Sequence, residues 1–300
     1  MREGRELRRS RRPQVQEAPR PAEQVREHYE VEKALAAQLR GGTAEERREL
    51  YRKLYDEMYR RVPHHPQLTR KVSPAETEEA IGRQLQFLSR FIGKDTTYLE
   101  VGPGDCALTF EVAKRVRKSI GVDVSAEVTS SHRRRDNLEL ILSDGTSIPV
   151  PPGSIDVAYS NQLMEHLHPD DARAQLLNLN RALKPGGIYV CQTPNRLTGP
   201  HDVSRGFDAV ATGFHLREYT NGELIALFRE CGFEQVTFYS TVRGYYYRVP
   251  TLALLAFERW LVRQPLERAR AFLNRTQLRR LFDNCRLVAV KPEASRGAAS

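Results

Sequence analysis

The sequence predicts an α/β fold: a mainly parallel sheet covered by helices on both faces. Three observations carry that expectation. Short apolar runs alternate with helix-like segments from "TTYLEV" (96–101) to "GIYVCQT" (187–193), which is the pattern of a sheet buried on both sides. The first run leads directly into "GPGDCA" (102–107), a glycine turn followed by a helix. Finally, 300 residues with 40% hydrophobic content suffice for one substantial core with some chain left for additions.

Residues 1–22 are rich in Arg, Pro and Glu and nearly devoid of apolar side chains, so a disordered basic tail is expected there. Residues 23–72 read as an N-terminal helical arm. "EQVREHYEVEKALAAQLR" runs to Gly41-Gly42, and Thr43 with Glu46 forms a capping box for a second amphipathic helix that stops before Pro63. Ser73-Pro74, with Glu76 three residues on, opens a further helix and the core, 73–242. In the core come "SIGVDV", "LELILSD", "IDVAYS", a helix near 170–183, and "GIYVCQT". Segments 234–240 and 284–290 read as a closing antiparallel pair. The 243–283 stretch between them is expected to be a helical insertion and, with the arm, a candidate substrate cap; 284–300 is the final strand and a flexible tail.

Charge divides the chain in the same places. Residues 1–72 hold 18 basic and 12 acidic side chains, 243–300 hold 12 and 4, and the middle holds 17 and 22. Basic ends suit an anionic substrate, a nucleic acid or an anionic lipid surface. The 39 arginines against 8 lysines can equally reflect genome composition. No apolar run reaches the roughly 18 residues of a membrane span, and the N-terminus lacks an apolar h-region, so a cytoplasmic protein is expected. Cys106, Cys191, Cys231 and Cys285 show neither a CxxC pair nor a disulfide framework, and no metal site is expected.

In a sheet of this type the ligand lies beyond the carboxyl ends of the strands, where strand order reverses. Gly102 and Gly104 allow close approach to it. Asp123, 19 residues after Gly104, could accept from two ribose hydroxyls, which NAD and S-adenosylmethionine share, so the glycines alone leave the cofactor open.

Further residues resemble the class I S-adenosylmethionine-dependent methyltransferases. "LEVGPGDC" is similar to that family's E-x-G-x-G-x-G turn, with Cys106 in the place of the third glycine. "LSDGTSIPVPPGSIDVAYSNQLMEHL" and "ALKPGGIYVCQTPN" resemble its following blocks. "FHLREYTNGELIALFRECGF" extends the likeness, towards the small-molecule and quinone-type O-methyltransferases, so that it covers roughly 77–240. The resemblance implies a Rossmann-like seven-stranded sheet and S-adenosyl-L-methionine as cofactor. Glu100 would enter the turn, Gly102 and Gly104 would border the amino-acid end, and Asp123 would hold the ribose. Asp144 and Gly145 would meet the adenine, although "SDG" is also a good turn sequence. Asn161 would line the methyl-transfer mouth.

The chemistry needs alignment, exclusion of water and removal of a proton when the acceptor is a hydroxyl. Among the histidines, His166, His168, His201 and His215 are candidates, and His215, after "ATGF", is selected as the catalytic group. A small-molecule, glycan or lipid-linked acceptor is expected, with peripheral contact to an anionic membrane surface as a further partner. The D/N-P-P-Y/F and Pro-Cys motifs of DNA methylation are absent, which weighs against nucleic acid. The alternatives are a non-catalytic methyltransferase-like protein that binds nucleic acid or an anionic surface, and an NAD-dependent oxidoreductase.

Overall fold

The computed structural model describes residues 20–69, 73–129, 135–242 and 244–293. Most of the expected basic tail and the end of the C-terminal tail lie outside the described residues. Strands β1 (Thr97–Val101), β2 (Lys118–Asp123), β3 (Leu138–Leu142), β4 (Ile155–Asn161) and β5 (Leu183–Pro194) run parallel, and β6 (Gln235–Val242), β7 (Tyr245–Val249) and β8 (Asn284–Val290) complete the sheet. The order is β3-β2-β1-β4-β5-β8-β6-β7, with β8 antiparallel to both β5 and β6.

The sheet therefore has eight strands among the described residues, one more than expected, and the 243–283 insertion is not wholly helical. Residues 245–249, "YYYRV", are rich in aromatic side chains suited to a pleated surface. They fold back on β6 after Gly244, with Val242 opposite Tyr245, and form the antiparallel edge strand β7. Helices α9 (Thr251–Val262) and α10 (Leu266–Asn274) follow, so the helical expectation holds from Thr251.

The chain enters through α1 (Ala22–Gly41) and α2 (Ala44–Arg61), and continues through the one-turn α3 (Pro66–Thr69) and α4 (Pro74–Leu88). The capping boxes at Thr43/Glu46 and Ser73/Glu76 are both formed. In the core, α5 (Ala107–Ala113), the short α6 (Ala126–Thr129), α7 (Pro169–Ala182) and α8 (Asn221–Glu230) connect the strands. No described helix is long and apolar enough to cross a membrane.

Apolar clusters cover both sheet faces. On one, Phe87, Leu88, Leu108 and Val112 pack on Tyr98, Val157 and Tyr159. The other is larger and takes in the arm: Leu35, Leu39, Leu54 and Met58 share a cluster with Val101, Val122, Met164 and Phe214. Docking of the arm is further fixed by a buried ion pair. Arg47 donates from Nε (2.5 Å) and Nη2 (2.7 Å) to the two oxygens of Asp171 on α7, and Tyr51 donates to the same carboxylate at 2.8 Å. Two charges held bidentately with a third donor offset the desolvation that an isolated charge would suffer there.

Helix α1 also grips the loop between β5 and α8. Arg40 donates to the carbonyls of Thr212 (2.8 Å), Gly213 (2.9 Å) and His215 (3.2 Å), and Glu32 accepts from Phe214 N at 2.8 Å. The arm thus lies against the segment that carries His215. By contrast, α9 packs beside α8, where buried Glu258 accepts from Asn221 N, Asn221 Nδ2 and Gly222 N.

Candidate functional site

The strand order reverses between β1 and β4, so the crevice expected of this topology opens where those two strands end. The glycine turn leaves β1 there. Gly102 and Gly104 have φ of +69° and +56°, a region costly for residues with a Cβ. A Cβ on Gly102 would also stand 3.0 Å from Leu163, which follows β4. Cys106, where the third glycine was expected, takes φ +59° itself as the residue before α5.

Glu100 sits beneath the turn. Its Oε2 accepts from Thr109 Oγ1 of α5 at 2.6 Å, and burial pushes its carboxyl up to about 8. Asp123 ends the neighbouring strand and accepts from Ser125 N at 2.9 Å; the backbone N–H groups of Val124 and Gly104 also point to it. Burial outweighs those bonds and holds the carboxyl above its usual range. Asp123 and Gly104, far apart in sequence, are thereby brought together.

Asn161 is the last residue of β4. Its Oδ1 is buried and has no hydrogen-bond partner among the described residues. A buried amide oxygen left unpaired costs on the order of 1–3 kcal/mol, so this acceptor, at the crevice, suits a ligand donor. The glycine turn, Asp123 and Asn161 together fit the S-adenosylmethionine group that the sequence implies.

At the adenine end the arrangement is more occupied. Asp144 Oδ1 accepts from Thr146 N (2.9 Å), Thr146 Oγ1 (3.0 Å) and Ser147 N (2.7 Å), while Oδ2 lies 3.4 Å from Arg48 Nε of α2. Burial raises this carboxyl, but the donors to it prevail and lower it to about 2. Asp144 is thus a turn-former whose second oxygen meets the arm. Gly145, φ +92°, lies under the Tyr51 ring, and its carbonyl accepts from Gln175 at 2.7 Å.

The histidines separate into two groups. His168 precedes α7 and accepts from Asp170 N, and His201 contacts Thr198 Oγ1 and the Asn195 carbonyl. His166 and His215, in contrast, stand with ring centroids 4.9 Å apart and nearly perpendicular. His215 Nδ1 is 2.8 Å from Glu218 Oε1. Burial disfavours its charged form, but the Glu218 hydrogen bond and the carboxylates of Glu165, Glu218 and Asp202 raise it overall. His166 is pushed down to about 3 by burial and by His215, and its Nδ1 lies 3.1 Å from both the Phe214 carbonyl and Tyr55 Oη.

Close to both lies Glu165, fully buried and pushed up to about 7 by burial. Its Oε2 accepts from Thr193 Oγ1 of β5 at 2.9 Å, and its Oε1 has no partner among the described residues. Glu165, Glu218 and Tyr55 were not selected from sequence. The available signals were the acidic neighbour in "MEHL" and the carboxylate three residues after His215.

Residues 99–191 match the family described as "Methyltransferase domain". A Mycolicibacterium smegmatis protein named a probable S-adenosylmethionine-dependent methyltransferase is 34% identical over 147 residues, covering 48% of this chain and 54% of its own. The malonyl-[acyl-carrier protein] O-methyltransferase of Xylella fastidiosa is 28% identical over 129 residues, covering 41% and 42%. The chain spans about half the length of the curated relatives it matches first. Among solved structures, a chain of the Haloferax volcanii complex between the Trm112 methyltransferase activator and a methyltransferase superposes with a TM-score of 0.52 at 18% identity. It covers 72% of this chain and 92% of that one, a likeness of fold.

Proposed function

We propose that this chain, whose residues 99–191 match the methyltransferase domain, is a class I S-adenosylmethionine-dependent methyltransferase that methylates a hydroxyl of a small-molecule, glycan or lipid-linked metabolite. The observation that carries the reading is the unpaired, buried Oδ1 of Asn161 at the strand end beside the glycine turn. When bound there, S-adenosylmethionine supplies an electrophilic methyl group on a sulfonium centre.

The residues divide the work of holding it. Gly102 and Gly104 border the amino-acid portion, with Glu100 bracing the turn through α5. Asn161 accepts from a donor of that portion, and Asp123 accepts from the ribose hydroxyls. Gly145 and the second oxygen of Asp144 serve the adenine, which requires Arg48 to share that oxygen. Helix α2 lies over this end through Tyr51 and Arg48.

Proton removal from the acceptor depends on His215, fixed by Glu218 and facing Glu165 and His166. The O-methyltransferase named among the relatives supports oxygen as the acceptor atom. The test is calorimetry with S-adenosylhomocysteine on wild type and Asp123→Ala, paired with transfer of radiolabelled methyl into a metabolite panel. Loss of two hydrogen bonds to a charged acceptor weakens binding by about 2–3 kcal/mol. Equal binding by the two proteins removes the ribose assignment, and absence of binding by wild type removes the function.

A further inference from the structure

Glu165, His166 and His215 each offer a ligand atom within 4.8 Å of the other two. They come from two distant parts of the chain. Glu165 and His166 follow β4 by a few residues, and His215 arrives on the loop that α1 holds in place. What distinguishes the trio from an ordinary polar core is where the hydrogen bonds go. His215 Nδ1 is taken by Glu218 Oε1 at 2.8 Å, and His166 Nδ1 by the Phe214 carbonyl and Tyr55 Oη, each at 3.1 Å. In both rings Nε2 has no hydrogen-bond partner among the described residues. Glu165 repeats the pattern: Oε2 is bonded to Thr193, while Oε1 is buried and unpaired.

That division is the one metal-binding histidines show. A ligating imidazole gives its other N–H to a carboxylate or a backbone carbonyl, which fixes ring orientation and tautomer. Here one ring has the carboxylate and the other the carbonyl. A buried carboxylate oxygen without a donor also calls for a partner, and a cation is a better one than a water in a site already crowded with acceptors.

We propose that Glu165, His166 and His215 form a binding site for a first-row divalent transition-metal ion, with Glu218 as the positioning residue behind His215. Two imidazoles and one carboxylate are a donor set of borderline softness that suits zinc, iron or manganese and leaves coordination positions open. Charge agrees, since the carboxylates of Glu165 and Glu218 balance a dication carried by two neutral rings. The distances agree as well. The ligand atoms lie within 4.8 Å of one another, so a point equidistant from them is at most about 2.8 Å from each, and side-chain shifts of less than about 1 Å bring all three to the 2.0–2.2 Å of a bond.

The second buried cluster, His28, Glu32 and His65, makes a useful contrast. There Arg20 contacts His28 Nδ1, His28 Nε2 meets Glu32 Oε2 at 2.8 Å, Glu32 Oε1 accepts from Phe214 N, and His65 Nδ1 accepts from Gln67 N. Both nitrogens of His28 and both oxygens of Glu32 are thus already taken, so the cluster gives an internal control.

The site deepens the proposed function and rests on it for its purpose. An ion held there would bind the acceptor's oxygen and make its hydroxyl more acidic, so the dependence on His215 would run through the ion. Metal binding itself is tested without turnover. The chelator-treated full chain is titrated with zinc chloride by calorimetry, and the bound zinc is counted after dialysis. One zinc per chain is expected. Glu165→Gln, His166→Gln and His215→Gln should each weaken binding by a hundredfold or more, Glu218→Gln by roughly tenfold, and His65→Gln not at all.

Because Glu165 and His215 are buried and His166 is half-buried, a variant that does not fold is replaced by a second measurement. The zinc K-edge spectrum of the loaded wild type should show two imidazoles with oxygen neighbours and no sulfur. Absence of stoichiometric zinc, zinc retained equally by all three variants, loss in His65→Gln alone, or a sulfur-ligated spectrum overturns the site. S-adenosylhomocysteine binding is measured on the same samples. If it persists while zinc does not bind, the methyltransferase reading stands and the metal site falls; if it is lost while zinc binds, the reverse holds.

Discussion

Asn161 and Asp144 show two ways in which a single polar group can serve a site. Asn161 keeps a buried acceptor unpaired in the protein itself, which costs stability, and the proposed function supplies it with a ligand donor. Asn161→Leu should therefore leave the melting temperature unchanged or raise it, while S-adenosylhomocysteine affinity falls roughly tenfold, about 1.4 kcal/mol. A large loss of stability with unchanged affinity, measured by scanning fluorimetry and calorimetry, would contradict this. Asp144 has its needs met within its own loop and by Arg48. Its carboxyl is depressed to about 2, so the stability it contributes is present above the unfolded value near 3.8 and is lost as pH falls through 2. Asp144→Asn keeps one acceptor oxygen but cannot titrate. The gap between wild-type and variant urea midpoints should narrow from pH 5 to pH 2, and a constant gap counts against the assignment. At this scale the sequence was readable where chemistry is local. Gly102, Gly104 and Asp123 are picked from spacing, and the structure brings them to one crevice; Asp144, expected at the adenine with a turn as the alternative, forms the turn. Glu165, His166 and His215 could not be seen as a group, because the 48 residues between His166 and His215 return to one point only through β5 and its loop.

The elements follow the same rule. Both capping boxes were legible because a Ser or Thr and a Glu three residues later satisfy each other without help from the rest of the chain. Strand β7 was not, because five residues become a strand only by pairing with the outer edge of β6, and the apolar run that follows favours a helical reading of the whole insertion. The insertion contributes one long-range contact of a kind that spacing cannot reveal. Glu258 of α9 caps the N-terminus of α8, taking three N–H groups at 2.6–2.9 Å in buried surroundings. A carboxylate at that end is favoured by the exposed amides and the helix dipole, partly offset by its own desolvation. Glu258→Ala should lower unfolding free energy by about 2 kcal/mol. Chemical denaturation checks this, and a loss below the error of the fit would show that water replaces the carboxylate without cost.

At the scale of the molecule, the arm and the insertion leave different surfaces to solvent. The arm is integrated into the main core through Leu35, Leu54 and Met58. The insertion presents Leu252, 84% exposed, and Trp260, 46% exposed, beside exposed Arg259 and Arg263. Aromatic and aliphatic groups flanked by arginines are the combination that binds anionic lipid surfaces. If the peripheral contact proposed for this chain lies there, Arg259→Gln with Arg263→Gln should reduce sedimentation with phosphatidylserine vesicles in a salt-dependent way. S-adenosylhomocysteine binding should stay at the wild-type level. No association by the wild type at low salt would leave that face with a purely structural part.

The grip of α1 on residues 212–215 sets a limit on timing. Arg40 and Glu32 hold four successive residues, 212 to 215, by their backbone groups, so the loop bearing His215 cannot swing outward while the helix remains docked. Entry of a bulky acceptor and departure of its product would then share one barrier with the lifting of α1. Amide protons in α1 and in the 212–215 loop would exchange with solvent at a common rate, and that rate would be the ceiling on how often the site can be refilled.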